Sequence, residues 1–281
     1  MNLGLGTERW DDLLTRVTRL AIAVGQDQLS AFGQVTAEAK ADGSLVTACD
    51  RQSDRVLRQG LEPLLSGAAF LTEEGSQIMP ESDWVWVVDP LDGTTNFARG
   101  IPVWAISIAL LHHGEPVLGV VHLPGLGRTY RGLWGAAGGL QCPTLADMNG
   151  VPLRRAADFS SSHLFSFCTR SIGVLQDDSV RALPFPCKIR MLGVATYNLL
   201  SVLDGAMVGA LEATPKVWDV AAVVAIARAV GVDWDWLHGN PFPLRAGVDY
   251  AARAYPSLLL AGPTLAPTFR PWRSAFLAGR G

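Results

Sequence analysis

The feature that most constrains the fold is a short apolar run that ends in two carboxylates and a turn. Residues 84–88 read Trp-Val-Trp-Val-Val, and such a run of aromatic and β-branched residues predicts a buried strand. Asp89 ends the run, and Pro90 has no N–H to donate, so we predict that the strand stops there. Asp92-Gly93 then predicts a turn, and residues 94–96 (Thr-Thr-Asn) predict the opening of a helix.

Two carboxylates at the mouth of a buried strand are costly unless something neutralises them. Divalent cations bound by oxygen ligands do so, and free backbone N–H groups at Gly93, Thr94 and Thr95 suit a phosphate group. The stretch therefore predicts a metal site beside an anion site. By itself the stretch leaves a purely structural alternative open, in which the strand ends in a solvated Asp-Gly turn that binds nothing.

Composition limits the class of protein. The 281 residues are 49% hydrophobic and 17% charged, which predicts a folded globular chain. The net charge is −3 and no Lys/Arg run reaches five, so we expect neither nucleic acid nor a membrane as a partner. No signal peptide or membrane span is evident. The four cysteines show no C-x-x-C spacing, which predicts reduced thiols in a cytoplasmic protein.

The remaining pattern predicts hairpins early and βα units late, which is typical of a layered α/β or α+β architecture. Predicted helices cover residues 8–30, from Asp50 to about 64, 195–203 and 218–230. Predicted strands cover residues 68–71, 103–111, 116–123, 128–133, 164–168, 188–192, 206–212 and 255–261. Residues 134–150 are predicted to form an exposed loop. We place there the boundary between sub-domains of about 1–145 and 146–281, within a single catalytic unit.

Acidic residues cluster at the ends of the predicted elements, where loops meet and sites form. They are Asp50, the Glu73-Glu74 pair, the Asp89 and Asp92 pair, and Asp219. Each has a structural alternative that the sequence leaves open. Asp50 and Asp219 would serve as helix caps, and Glu73-Glu74 as a solvated face.

No Walker A loop and no Gly-x-Ser-x-Gly elbow is present. Two residues separate Asp89 from Asp92, a spacing that favours shared metal ligation over a covalent aspartyl-phosphatase site.

Four motifs together resemble the inositol monophosphatase family. They are Lys40-x-Asp-Gly-Ser-x-Val-Thr-x-x-Asp50, Glu73-Glu74-Gly-Ser76, Asp89-Pro-Leu-Asp-Gly-Thr-Thr-Asn-Phe97 and Trp218-Asp-Val-Ala-Ala222. Their order and spacing agree over residues 40–222. The resemblance implies a layered αβαβα sandwich and Mg²⁺-dependent hydrolysis of a phosphate monoester, most readily an inositol monophosphate.

The resemblance also implies roles for single residues. Glu73, Asp89 and the backbone carbonyl of Leu91 match the ligands of a first metal, and Asp89, Asp92 and Asp219 those of a second. A third, weaker metal would again use Glu73, so two to three Mg²⁺ ions are expected.

The residues expected to act on water and substrate follow the same resemblance. Thr94 and Asp50 match the pair that orients the attacking water with the first metal, which Glu73 holds. Glu212 matches the position that binds a ring hydroxyl. The stretch Gly193-Val194-Ala195 falls where the family contacts the ring. The expected substrate-binding residues are therefore Asp92, Gly93, Thr94, Thr95, Gly193, Val194, Ala195, Glu212 and Asp219.

Two departures bear on specificity. Val194 stands where the family has a hydroxyl residue, and residues 132–149 look longer than the usual loop. The alternatives are sibling phosphatases acting on fructose 1,6-bisphosphate, histidinol phosphate or a phosphoadenosine nucleotide, and, in another class, a catalytically silent scaffold. The resemblance further implies lithium inhibition, a homodimer, and a small phosphorylated polyol or sugar as the substrate.

Overall fold

The computed structural model describes residues 7–34, 36–39, 45–135, 140, 142–154, 163–176, 178, 187–232 and 234–280. Its helices are α1 (Thr7–Ala31), α2 (Ala48–Leu61), α3 (Thr94–Ala98), α4 (Ala195–Leu203), α5 (Val217–Val230) and α6 (Ala266–Ala275). Its strands up to residue 152 are β1 (Ala37–Ala39), β2 (Leu45–Thr47), β3 (Ala69–Thr72), β4 (Trp84–Asp92), β5 (Ala105–His112), β6 (Glu115–Leu123), β7 (Arg128–Leu133), β8 (Leu145–Met148) and β9 (Val151–Pro152). The later strands are β10 (His163–Phe167), β11 (Cys187–Arg190), β12 (Gly209–Glu212), β13 (Trp234–Trp236) and β14 (Ser257–Leu260).

The larger sheet joins strands β3 to β9 in chain order. β3 lies parallel to β4, and the pairs that follow are antiparallel. Alternate residues of β4 face opposite sides, as the two-residue period of a strand requires. Trp84, Trp86 and Val88 pack against α1 and α2, whereas Val85 and Val87 belong to the core on the other face. Both faces of β4 are covered, which is why its sequence is apolar throughout.

Helix α5 lies between the two sheets, and its residues from Val220 to Ala227 are all buried. A glycine of β6 lets this helix approach closely, because a Cβ built on Gly119 would lie 2.2 Å from the carbonyl oxygen of Ala222. The backbone of α5 therefore lies almost directly on the backbone of the larger sheet at this point.

The second sheet has the strand order β11-β10-β12-β14-β13. Ser166 of β10 faces α4, where its hydroxyl donates to the Asn198 side chain at 2.5 Å. The neighbouring Phe165 faces the opposite way and packs on Phe269 and Trp272 of α6, with ring centroids 4.8 and 4.5 Å apart. The layers thus run helix, sheet, helix, sheet, helix, which confirms the predicted αβαβα sandwich. The division into sub-domains near residue 145 stays a prediction.

Several local predictions need correction. Residues 145–148 form a strand rather than part of an exposed loop, because Arg131 and the buried Asp147 pair across β7 and β8 at 2.7 Å. Helix α2 begins at Ala48, with Thr47 as its N-cap and Asp50 inside its first turn. The short strand β13 and helix α6 were not predicted at all.

Three of the four cysteines, Cys49, Cys142 and Cys168, are free thiols. Over the described residues, no helix combines the length and the apolar composition needed to cross a membrane.

Candidate active site

The end of β4 is distorted into a bulge rather than terminated. The register against β5 shifts between Asp89, which lies opposite Ser107, and Asp92, which lies opposite Ala105. The prediction that the strand stops at Asp89 is therefore wrong: Pro90 sits inside the bulge, where its missing N–H costs no ladder bond. The bulge turns the Leu91 carbonyl and the two carboxylates away from the ladder.

A buried glutamine holds this bulge in place. The Gln28 Nε2 group donates to the Pro90 carbonyl at 2.8 Å and lies 3.0 Å from Ser53 Oγ, while Gln28 Oε1 accepts from Trp104 Nε1 at 2.9 Å. Gln28 has no exposed surface. Sequence reasoning missed it, although one signal was available: Gln28 lies four residues after Val24, on the apolar face of α1.

Asp50 and Thr94 meet across 44 residues of chain. Thr94 Oγ1 donates to Asp50 Oδ1 at 2.9 Å and lies 3.1 Å from the Leu91 carbonyl oxygen. The second carboxylate oxygen of Asp50 accepts from the N–H and hydroxyl of Thr47, at 2.8 and 2.5 Å. This capping box ties the start of α2 to the bulge. Asp50 is therefore not the N-cap that its structural alternative required, but the N3 partner of the N-cap Thr47.

Asp92 occupies the N-terminus of α4. Its carboxylate accepts from the N–H groups of Ala195 and Thr196, at 3.3 and 2.7 Å, and from Thr196 Oγ1 at 2.7 Å. An acidic group is favoured there because the first N–H groups of a helix have no partner within the helix. The stretch Gly193-Val194-Ala195 is thereby fixed beside Asp92.

Asp219 lies in the first turn of α5, where its Oδ2 accepts from the Lys216 N–H at 2.7 Å. Ser107 of β5 donates to the Trp218 carbonyl at 3.0 Å and so anchors the same turn to the larger sheet. Lys216 itself donates through Nζ to the Ala251 carbonyl at 2.6 Å. The cap role that the sequence left open for Asp219 is therefore real, and it aims the residue at the bulge.

The end of β4 and the helix N-termini beside it border one cavity of about 460 Å³, which we call the carboxylate cavity. It is lined by Glu73, Asp89, Leu91, Asp92, Gly93, Thr94, Thr95, Gly193 and Asp219, among others. Burial, followed by the charges of Glu73, Asp92 and Asp219, raises the pKa of Asp89 well above its usual value. Burial, followed by the charges of Asp92 and Glu73, does the same to the pKa of Asp219. Burial also raises the pKa of Asp92, opposed by its hydrogen bonds from Thr196 and Ala195.

The donor set fits a hard divalent cation. Every potential ligand is an oxygen, and several acids share a space in which each disfavours the charge of the next. Within the described residues, no three acidic, histidine or cysteine side chains are already arranged as the ligands of one ion. Asp92 and Asp219 instead turn an oxygen towards the N–H groups of α4 and α5. The oxygen groups of the cavity are therefore of the kind that bind a divalent cation, and in this structure they do not converge on one point as a complete set of ligands.

A second cavity of about 490 Å³ adjoins the first and shares Asp92, Thr95, Gly193 and Asp219 with it. At its far side Glu212, which is 3% exposed, accepts a hydrogen bond from the Asn198 side-chain amide. Burial raises the pKa of Glu212 to about 8, against the opposing effect of Asn198.

Gly93 and Val194 lie where the two cavities meet. Gly93 has a φ of +96°, and a Cβ there would lie 2.8 Å from Val194 Cγ2. Val194 is 1% exposed, so most of its side chain packs inward. Gly93 satisfies both the left-handed backbone and the close contact.

The remaining predicted motif residues are placed as follows. Glu73 follows β3, and its N–H donates to the Val88 carbonyl at 3.1 Å, which holds it beside the end of β4. Glu74 lies next to it and does not line either cavity. Residues 40–44 of the first motif lie outside the described residues.

Comparison with known proteins places the chain in a family. The sequence profile described as "Inositol monophosphatase family" matches residues 9–262. An inositol-1-monophosphatase of Mesorhizobium japonicum is 30% identical over 78% of this chain and 83% of its own length. A histidinol-phosphatase of Mycobacterium tuberculosis is 33% identical over 79% and 85%. A fructose-1,6-bisphosphatase/inositol-1-monophosphatase of Aquifex aeolicus is 29% identical over 79% and 84%.

Solved structures show the same fold. An inositol monophosphatase of Thermotoga maritima superposes with a TM-score of 0.78 at 24% identity, covering 96% of this chain and all of that one. An inositol monophosphatase/NADP phosphatase complexed with Mg²⁺ and phosphate gives a TM-score of 0.74 at 21% identity, covering 94% and 95%. The cavities described above therefore lie in a fold on which phosphatases are built.

Proposed function

The chain belongs to the inositol monophosphatase family, and we propose that it hydrolyses a small phosphate monoester with Mg²⁺, inositol monophosphate being the leading substrate. The observation that carries the proposal is the convergence of the Thr94–Asp50 hydrogen bond, the Leu91 carbonyl and the acidic side chains on one cavity. A solvated turn would need none of these partners.

The residues proposed to hold metal are Glu73, Asp89, the Leu91 carbonyl, Asp92 and Asp219, in two to three sites. Bound Mg²⁺ would supply positive charge that lowers the pKa of water and stabilises the negative charge of the transferred phosphoryl group. Asp89 is the residue shared between the first two sites. With 1% exposure it is the least accessible acid of the cavity, so its charged form gains most from a cation.

Thr94 and Asp50 are proposed to position the attacking water. The Thr94 hydroxyl donates to Asp50, so its oxygen lone pairs are left to accept a hydrogen bond from water. Asp50 is fixed in turn by Thr47 and can take up the proton passed along this chain of hydrogen bonds. The oxygen of that water would attack phosphorus in line while the bond to the leaving oxygen breaks, and the leaving oxygen would take a proton from solvent.

The phosphate group itself is proposed to lie against Gly93, Thr94 and Thr95. No side chain caps α3, and all three residues line the carboxylate cavity, so backbone N–H groups remain for phosphoryl oxygens. Glu212 and the stretch Gly193-Val194-Ala195 border the adjoining cavity, where the leaving group would lie. The chain supplies mainly positions and charges, which is what phosphoryl transfer requires.

Sibling substrates remain candidates within the same chemistry. Relatives named histidinol-phosphatase and fructose-1,6-bisphosphatase/inositol-1-monophosphatase match this chain about as well as one named inositol-1-monophosphatase. The silent-scaffold alternative would leave unexplained why the four acids proposed to hold metal and Thr94 line one cavity. We further propose a homodimer, a cytoplasmic location and inhibition by lithium at the second metal position.

The test is phosphate release by the purified protein with and without Mg²⁺. The panel contains inositol 1-phosphate, fructose 1,6-bisphosphate, histidinol phosphate and 3′-phosphoadenosine 5′-phosphate. We expect turnover of at least one substrate, complete dependence on Mg²⁺, and inhibition by millimolar lithium. Turnover that persists after EDTA treatment would overturn the metal-dependent mechanism.

A further inference from the structure

The second cavity decides which leaving groups fit, because it continues from the shared wall of Asp92 and Gly193 away from the proposed phosphate position. Its charge and lining therefore bear directly on the substrate. Its acids already have protein partners: Asp92 accepts from the start of α4, and Glu212 accepts from Asn198. Recognition of a leaving group must come mainly from the other residues of the lining.

Arg170 is the one cationic side chain among the described residues that line this cavity. It lies in a 3₁₀ segment, Thr169–Gln176, directly after β10, and it is exposed. No hydrogen bond or ion pair joins its side chain to another described residue. Arg131 and Arg228, in contrast, each pair with an acid at 2.7 Å. Among the described residues, the Arg170 guanidinium group thus lies at the cavity without a fixed protein partner.

The rest of the lining is mixed. Met191 and Leu192 contribute apolar atoms, and 43% of Met191 is exposed. Thr95, Asn96, Thr169 and Thr214 contribute neutral polar groups, which can bind hydroxyl groups but carry no charge that would attract a second anion. A guanidinium group, by contrast, binds carboxylate or phosphate oxygens in a bidentate manner.

We propose that Arg170 is a specificity-determining residue that favours phosphate monoesters whose leaving group carries a second anionic group and disfavours cationic leaving groups. This inference rests on the proposed function, because it assigns the leaving group to the second cavity. The second anion is a phosphate or a carboxylate, and the two share the chemistry that Arg170 recognises.

The effect should appear in binding rather than in the chemical step. Arg170 lies outside the group of residues around Asp50, Thr94 and the acids, so its charge acts on the ground state and the transition state alike. Loss of such uniform binding raises KM and leaves kcat nearly unchanged. Because Arg170 is exposed, salt will screen the interaction.

The experiment compares four substrates with the wild-type protein, Arg170→Gln and Arg170→Glu. Fructose 1,6-bisphosphate carries a second phosphate, 3-phosphoglycerate a carboxylate, inositol 1-phosphate no further charge, and histidinol phosphate a cation. Arg154→Gln and Arg154→Glu are the matched controls, since Arg154 is also exposed, lies outside regular structure and lines neither cavity.

We expect Arg170→Gln to raise KM about tenfold for the two substrates that carry a second anionic group, with less than about twofold change for inositol 1-phosphate. Arg170→Glu should extend that loss and lower KM for histidinol phosphate. The preference of the wild-type protein should weaken as salt is raised, and the Arg154 variants should match the wild type. Comparison of fructose 1,6-bisphosphate with 3-phosphoglycerate reports whether the second phosphate or the carboxylate is bound better.

Equal changes for all four substrates, or none, would overturn the proposal for Arg170 while leaving the phosphatase proposal intact. A wild-type protein that hydrolyses neither any of these four substrates nor 3′-phosphoadenosine 5′-phosphate would contradict the proposed function instead. Calorimetric binding of fructose 1,6-bisphosphate then decides the role of Arg170, because its Kd must still rise about tenfold in Arg170→Gln and not in Arg154→Gln.

Discussion

The two cavities differ in how firmly their side chains are held. Around the carboxylate cavity, acids and hydroxyl groups are fixed by hydrogen bonds from other elements, such as Thr47 to Asp50 and Thr196 to Asp92. In the second cavity, Arg170 and Met191 are exposed, and Arg170 has no fixed partner among the described residues. Reaction chemistry requires fixed geometry, whereas recognition of the leaving group requires only complementary surface. Substitutions should therefore affect kcat at the first cavity and KM at the second.

The strongest test of this contrast is Asp89→Asn. The substitution removes the carboxylate that both proposed metal sites share, and we expect kcat to fall about a thousandfold or more. Because burial and neighbouring acids already disfavour the charged form of Asp89, the metal-free variant should be at least as stable as the wild type. Steady-state kinetics and thermal unfolding measure the two effects. Retained activity would show that the carboxylate cavity is not the site of reaction.

The next largest effect is expected for Thr94→Val, which keeps the size of the side chain but removes the hydroxyl that contacts Asp50. Loss of the group that orients water should lower kcat about a hundredfold and leave KM nearly unchanged. Thr95→Val is the control, since Thr95 is exposed and keeps its backbone N–H. Equal losses in both variants would contradict a special role for Thr94.

Gln28→Leu tests whether the buried hydrogen bonds of Gln28 hold the residues of the carboxylate cavity in position. The change leaves the Pro90 carbonyl and the Trp104 indole N–H buried without their partner. We expect a loss of about 2–5 kcal/mol in the free energy of unfolding and a roughly tenfold higher Mg²⁺ concentration for half-maximal activity. Urea denaturation and metal-dependent thermal stabilisation measure these effects. Gln26→Leu, at an exposed position of the same helix, should show neither.

The smallest effect is expected for Glu212→Gln in the second cavity. With a pKa of about 8, this carboxyl group is mostly protonated at pH 7, and an amide closely resembles it. Activity on inositol 1-phosphate at pH 7 should change less than about tenfold. A larger loss in kcat would place Glu212 with the rigid machinery of the first cavity.

The same variant has a signature in stability. Between the ordinary value of 4.5 and about 8, the folded metal-free protein holds a proton at Glu212 that the unfolded chain has lost. The free energy of unfolding should therefore fall as pH rises through this window. In Glu212→Gln, measured with EDTA present, that fall should be smaller. Parallel pH profiles for the two proteins would show that Glu212 is not protonated as described.

Much of the fold was predictable because local patterns agree with it. The period of α1, the apolar run of β4 and the almost wholly apolar sequence of α5 each have one sequence signature, and their positions were predicted to within a few residues. The end of β4 was not, because Pro90 stops a regular ladder but is tolerated in a bulge, and only the partner strand reveals which occurs. Strand β8 was missed for a similar reason, since its pairing depends on Arg131 in β7.

Some residues of the candidate site were likewise predictable from the sequence, and others were not. The acids and Thr94 were identifiable because their motifs fix them locally. Gln28 and Arg170 were not, since each acts through a partner or a cavity that the sequence does not bring near. A polar residue on an apolar helix face signalled Gln28, whereas nothing in the spacing of Arg170 distinguishes it from other exposed arginines.

The contact between Gly119 and Ala222 sets the distance between α5 and the larger sheet. The same helix carries Asp219 in its first turn. The absence of a side chain at Gly119 therefore helps to set the position of the Asp219 carboxylate. Gly119→Ala would have to lift α5 or bend β6. Such a variant would displace the Asp219 carboxylate without changing any polar side chain of the two cavities.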